Sequence, residues 1–339
     1  MKLNISIILL FANLSILIAQ KIRVDTVSIP VNTSIRGMQV LNDSTLWICG
    51  NKGVFAYSED CGASWYIDSL RINSELPDYR SIEVIDRNTV IIANAGSPAA
   101  ICKTMDAGRS WKVVHSDMRP EIFIDAIAFD DSLNGIALGD PINALPVILK
   151  TDNGGDNWTD VSKDFLYQIE TGEAFFAASN SCMHYQDSVL SFVSGGACSN
   201  YYTCNFKTYT VTVTPLPLIS GTPMQGAFTK VKSGDTLFAA GGDYDKPDTN
   251  CNRLAVSYSR GLTWQNIKTD IPFISSMCLL KRKNLLFAAC MPGIYLSSNQ
   301  GKTWKKVAKD NLNIIYASPT ENILFAAGKN GQIIRITIE

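Results

Sequence analysis

Seven short apolar runs that end in small residues punctuate this chain: TLWICG from Thr45, TVIIANAG from Thr89, NGIALGD from Asn134, SVLSFVSGG from Ser188, TLFAAGG from Thr236, LLFAAC from Leu285 and NILFAAG from Asn322. Each is too short for a stable helix, and most are rich in Val, Ile, Leu and Phe, so each is predicted to be a strand buried on both faces. A further stretch, IRVDTVSIP (Ile22–Pro30), alternates polar and apolar residues as a half-buried strand does, and it stands before the first run with no unit of its own.

Five of the seven runs are followed by one eight-residue pattern, Ser/Thr-x-Asp/Asn/Ser-x-Gly-x-x-Trp. The copies are SEDCGASW from Ser58, TMDAGRSW from Thr104, TDNGGDNW from Thr151, SYSRGLTW from Ser257 and SSNQGKTW from Ser297. The third position (Asp60, Asp106, Asn153, Ser259, Asn299) offers a short acceptor to nearby backbone N–H groups, and the glycine (Gly62, Gly108, Gly155, Gly261, Gly301) supplies a positive φ. Asn and Ser replace Asp in three copies, so the position calls for an acceptor rather than a negative charge. The boxes are therefore read as folding hardware and not as acid catalysts.

The box tryptophans Trp65, Trp111, Trp158, Trp264 and Trp304 are separated by 46, 47, 106 and 40 residues. The long gap is two units, and its middle run, SVLSFVSGG, lacks a box; the run NILFAAG comes too near the end of the sequence to be followed by one. Seven units of about 46 residues, built of short strands and Gly-rich turns, predict an all-β, seven-bladed β-propeller. The last unit supplies three strands, so Ile22–Pro30 is predicted to be the outer strand of the seventh blade, a clasp that removes an open sheet edge.

With 30 basic and 31 acidic side chains and no long charge run, nothing points to a nucleic-acid surface. Residues 1–19, with Lys2 ahead of an apolar run from Ile5 to Ile18, read as a secretory signal, and 20–339 as a single propeller domain. The expected protein is exported, periplasmic or extracellular, monomeric and without a membrane span once the signal is removed. Nine cysteines accompany only two histidines, His115 and His184, with no CxxC or His/Cys cluster, so neither metal nor cofactor is expected. Cys198 and Cys204, placed on either side of the turn in the box-less fourth unit, are a candidate disulfide; the other reading is buried free thiols.

The stretch IDAIAFDDSLNGIALGDP (Ile124–Pro141), followed by GEAFFAASNSC (Gly172–Cys182), SGGA (Ser194–Ala197) and GGDY (Gly241–Tyr244), resembles the photosystem II stability/assembly factor-like proteins, exported bacterial propellers with Asp-box repeats. The resemblance covers nearly the whole chain after the leader. It implies the propeller fold and a binding or assembly role, since photosynthetic members bind a membrane-protein assembly intermediate. Fold alone does not fix the partner.

Aligning the units on their small-residue strand ends puts Arg36, Arg80, Asp125, Glu173, Thr229, Ser276 and Asn313 near the start of the inner strand, at the channel mouth opposite the Asp boxes. Neighbouring loops add Asp140, Asp243 and Tyr244. Arginine forks among carboxylates suit a polypeptide or polar ligand, an unknown envelope protein for example; the plainer reading is that these charges brace and solvate the mouth. An alternative is a sialidase-like glycoside hydrolase with Asp125 and Glu173 as paired carboxylates. Sialidases, which also carry Asp boxes, need an arginine triad introduced by an Arg-Ile-Pro-like motif, and IRVDTV and SIRGMQ do not match it.

Overall fold

The computed structural model describes residues 21–165 and 167–339, so the proposed signal segment 1–19 lies outside the described residues. Seven antiparallel units follow one another, each a meander of four strands. Blade 1 is Ile35–Val40, Leu46–Gly50, Val54–Ser58 and Tyr66–Ser69. Blade 2 opens with Tyr79–Val84, blade 3 with Ile124–Phe129, blade 4 with Met183–Gln186, blade 5 with Gln225–Ser233, blade 6 with Ile274–Leu280 and blade 7 with Leu312–Ala317. These are the inner strands around the channel. The seven apolar runs are the second strands, buried on both faces, as their unbroken hydrophobicity requires.

The clasp is present. Ile22–Thr26 pairs antiparallel with Ile333–Ile338, in register from Ile22 opposite Ile338 to Thr26 opposite Ile334, and completes blade 7 as its outer strand. An ion pair of 3.0 Å between Arg335 and Asp25 reinforces the seam, and Val27 and Ile29 extend it by backbone hydrogen bonds to Ile333 and Gly331. Blade 4, the unit without a box, turns from its third strand, Asn200–Asn205, to its fourth, Thr210–Pro215, through a short loop capped by the Asn205 side chain.

One feature departs from a plain seven-fold meander. Between blades 3 and 4 the chain makes an excursion in which Glu173–Ala174 pairs with Gly195–Gly196, and Gly195 in turn meets Gly226 of blade 5. Backbones approach so closely there that a Cβ on Gly226 would collide with the backbone of Gly195, which explains the consecutive glycines of SGGA.

Candidate functional site

The Asp boxes all connect third to fourth strands, on one face of the disk, and every copy has the same wiring. The first-position hydroxyl accepts the N–H of the glycine, from Gly62 to Ser58, Gly108 to Thr104, Gly155 to Thr151, Gly261 to Ser257 and Gly301 to Ser297, at 2.8 to 2.9 Å. The third-position acceptor takes the N–H four residues on, from Ser64 to Asp60, Ser110 to Asp106, Asn157 to Asn153, Thr263 to Ser259 and Thr303 to Asn299. Asn and Ser make that bond as Asp does. Gly108, at φ +82°, has no room for a side chain: a Cβ would lie 2.8 Å from the Phe55 ring of the preceding blade. Three of the tryptophans, Trp65, Trp264 and Trp304, close their turns by donating to the box glycine carbonyl. The first-position hydroxyl, part of the motif, does more than its sequence suggested.

On the opposite face, six of the seven inner strands begin with a bulge. In blades 1, 2, 3 and 7 the extra residue is Arg36, Arg80, Asp125 and Asn313, as the repeat alignment placed them. In blades 5 and 6 it is Phe228 and Ser275, one residue before the expected Thr229 and Ser276. A bulge re-aims a side chain, and here it does so for one residue in each of six blades, blade 4 pairing in unbroken register. Thr229 and Ser276 instead face the blade interfaces, where their hydroxyls accept the N–H groups of Met277 and Ile315.

Arg80, Asp125 and Asp140 form the electrostatic centre of this mouth. The Arg80 guanidinium pairs with Asp78 at 2.8 Å and lies over the Phe123 ring at 5.5 Å. Asp125 is fully buried, and neither carboxyl oxygen has a well-aligned hydrogen-bond donor among the described residues, the nearest being the Ala177 and Asp140 N–H groups. Burial, and then the neighbouring Asp140, push its pKa well above the usual carboxylate range, against a smaller opposing pull from Arg80. Asp140 accepts the Phe175 N–H at 2.8 Å, and burial lifts it to about 6. Arg36 is half-buried and has no ion-pair partner among the described residues.

Three expectations change. Glu173 is not on an inner strand: it lies in the excursion, buried, where Tyr202 OH at 2.8 Å, Asn200 Nδ2 at 3.0 Å, Cys198 Sγ at 3.2 Å and the Ser194 hydroxyl all donate to it. That carboxylate is fully occupied as the hub of a structural network. Asp243 is likewise engaged, accepting from Gln225 Nε2 and from the N–H groups of Asp245 and Lys246 in its own turn. Cys198 and Cys204 are both free thiols. Cys198 lies inside the turn, whereas Cys204 sits four steps along the following extended strand, roughly 13 Å from its first residue Asn200.

Tyr244 emerges from its loop beside the mouth and packs edge-on against Phe273 at 5.6 Å. Phe273 meets Phe228, whose ring stacks on Phe176 at 3.7 Å. An aromatic cluster, partly exposed at Phe176 and Tyr244, thus lies on the same face. Phe228 escaped the sequence reading because the bulge shifts the register by one residue, which no hydrophobic pattern reveals.

The excursion also closes the channel. Asn180 donates to the Ile82 and Ile127 carbonyls of blades 2 and 3 and accepts the Ile127 N–H, and Ser181 donates to Thr229 of blade 5. Below this plug a cavity of about 1010 Å³ opens on the Asp-box face. Its walls carry Gln39 and Glu83 on blades 1 and 2, and His184, Lys230, Lys232 and Lys281 on blades 4 to 6. Gln39 Nε2 donates to Glu83, whose carboxyl burial lifts to about 8; burial lowers Lys230 to about 7. These residues were missed by the sequence reading. The available signal was a lone charge inside an apolar inner strand, SIEV and FTKV.

Comparison with known proteins agrees with this architecture. The family model of the photosynthesis system II assembly factor YCF48 matches residues 18–159. The solved structure of YCF48 bound to a D1 peptide is similar at a TM-score of 0.69 and 16% identity, covering 93% of this chain and 97% of that one. YCF48 from Cyanidioschyzon merolae is similar at a TM-score of 0.67 and 13% identity, covering 93% of this chain and 98% of that one. At these identities the structural likeness is one of fold. No curated protein sequence matches this chain. The chain is an Asp-box propeller that resembles the photosystem II assembly factors.

Proposed function

We propose that this propeller is a binding module that recognises a polypeptide partner, in the manner of an assembly factor, at the mouth where the inner strands begin. One observation carries the reading: Asp125 is fully buried next to Arg80 and Asp140, with no side-chain donor to its carboxyl and only the Ala177 and Asp140 N–H groups near it, while Arg36 and Arg80 on the neighbouring inner strands are partly exposed. A buried carboxyl without a strong donor is costly to keep, and a few polar groups that converge in a concave mouth characterise a binding site. The partly exposed Phe176 and Tyr244, backed by the buried Phe228 and Phe273, offer apolar anchorage beside the charges, the combination that dominates protein interfaces. The D1 peptide held by the similar YCF48 propeller supports a polypeptide as the occupant.

The apolar leader supports export to the periplasm or beyond, with residues 20–339 acting as one propeller. A paired-carboxylate hydrolase gains nothing from the geometry, because Glu173 already accepts from four donors and is not free to act as acid or base.

The test is capture from an envelope extract by the purified protein and by an Arg36→Glu, Arg80→Glu variant of equal thermal stability. One polypeptide recovered by the parent and lost by the variant is the expected result. Equal recovery by both would move the site away from this mouth, and recovery of none would remove the polypeptide reading.

A further inference from the structure

We propose that the blind cavity on the Asp-box face is a second binding site, which takes a metabolite-sized oxyanion, carboxylate or phosphate, on the lysines of blades 4 to 6. It lies at the opposite end of the channel from the polypeptide site and stands independently of it.

Charge imbalance is the first argument. Lys230, Lys232 and Lys281 line the cavity together with His184, and none of the three has an ion-pair partner among the described residues. The carboxylates of the turns on this face are occupied elsewhere. Asp86 accepts the N–H groups of Asn88 and Thr89, Asp130 those of Asp187 and Ser188, Asp131 those of Leu133 and Asn134, and Glu321 those of Lys281 and Arg282. Asp235 is paired with Arg260 at 2.7 Å. Asp235 and Glu321 both lie on the cavity wall, Asp235 beside Lys232 as well as Arg260, whereas the buried Lys230 has no carboxylate paired with it.

Lys230 is the sharpest case. Its side chain is 6% exposed and donates one hydrogen bond, of 2.9 Å, to Ser191 Oγ, leaving further donor capacity toward the cavity. A buried ammonium without a counter-ion is unfavourable, and an entering oxyanion supplies one. Burial, with a contribution from Lys232, has lowered its proton affinity, and burial with Lys230 and smaller contributions from Lys232 and Lys281 lowers His184 to about 4.

The facing wall fits the same ligand. Glu83 retains its proton through neutral pH, so it does not repel an anion and can donate a hydrogen bond to it, as a carboxyl held neutral does. The plug of Ser179–Ser181 prevents a polymer from threading through, and about 1010 Å³ is at the upper end of what small-molecule sites occupy.

Titration calorimetry of the purified protein at pH 6.5 and low salt, with citrate and with inorganic phosphate, tests the proposal. Saturable one-to-one binding of citrate alone assigns a polycarboxylate, and of phosphate alone a phosphorylated ligand. A Lys232→Gln, Lys281→Gln double variant should bind the same probe at least tenfold more weakly. Lys230→Met should abolish binding. Since Lys230 is also packed in the wall, the double variant decides if that protein fails to fold. No binding of either probe at millimolar concentration, or unchanged affinity in the double variant, overturns the site.

Discussion

The hydroxyl of Tyr316, on the inner strand of blade 7, donates a 2.6 Å hydrogen bond to the carbonyl of Ser179, which belongs to the excursion ahead of blade 4. This bond spans the channel. With Asn180 tied to blades 2 and 3 and Ser181 to blade 5, the excursion is anchored around the ring rather than to one neighbour.

That anchoring makes the plug a stabilising element. Tyr316→Phe leaves the Ser179 carbonyl without this donor and is expected to cost about 1–2 kcal/mol, the usual range for a part-buried hydrogen bond. Asn180→Ala removes an acceptor and a shared donor at once and is expected to cost about 2–4 kcal/mol. Urea unfolding of both variants checks this. A loss below a few tenths of a kcal/mol in Asn180→Ala would show that the excursion is merely resting in the channel.

The box wiring separates two substitutions that a catalytic role would not. Gly108→Val forces a β-branched residue to φ +82° against the Phe55 ring and is expected to destabilise by about 2–4 kcal/mol. Asp106→Asn keeps the acceptor for the Ser110 N–H, as Asn153 and Asn299 do in their copies, and should change stability little at neutral pH. Its effect should appear in acid. Hydrogen bonds from Ser110, foremost, hold Asp106 at about 2, below the ordinary 3.8, and Ser64 does the same for Asp60. Carboxylates with lowered folded-state pKa contribute stability that is whole above about pH 4 and is lost as pH falls toward 2. Thermal melts of an Asp60→Asn, Asp106→Asn variant should accordingly be flatter than the parent's between pH 4 and 2. Identical acid profiles would contradict the wiring.

At the opposite mouth, binding and stability should respond in different directions. Arg80→Ala is expected to weaken capture of the polypeptide by about 2–5 kcal/mol if its charge is buried in the complex. Asp125→Asn removes a carboxyl whose folded-state pKa is raised, a group whose stabilising contribution is present in acid and is lost as pH rises through that raised value. The variant should thus melt at or above the parent temperature at pH 8 while capturing less partner. Lower stability together with normal capture would make Asp125 a structural residue only.

Much of this architecture could be read from the chain because a propeller repeats its local chemistry. Five boxes, seven buried strands and one spare alternating strand each have a short-range cause, and together they fix blade number and closure. Arg36, Arg80, Asp125 and Asn313 fell into place because their blades share one spacing from bulge to strand end. Glu173 misled because the excursion inserts residues just where blade 4 should begin, so equal distance along the chain no longer meant equal position in the blade. The cavity lysines stayed hidden for another reason: whether Lys230 faces solvent or a closed channel depends on the plug, and the plug is held by contacts as distant as Tyr316 to Ser179.

Glu83 gives the most direct check on that channel wall. Burial raises it to about 8 from the ordinary 4.5, opposed only by the hydrogen bond from Gln39. A carboxyl with a raised folded-state pKa contributes stability that is complete below about pH 4.5 and is lost progressively as pH rises through about 8. Glu83→Gln carries no titrating proton, so its advantage over the parent should be absent at pH 4 and grow from there to pH 8. It should reach up to a few kcal/mol, since each tenfold change in acid dissociation corresponds to about 1.4 kcal/mol. Urea unfolding of parent and variant across pH 4 to 9 measures the difference. A gap that stayed constant over that range would mean that Glu83 titrates as an ordinary hydrated carboxylate.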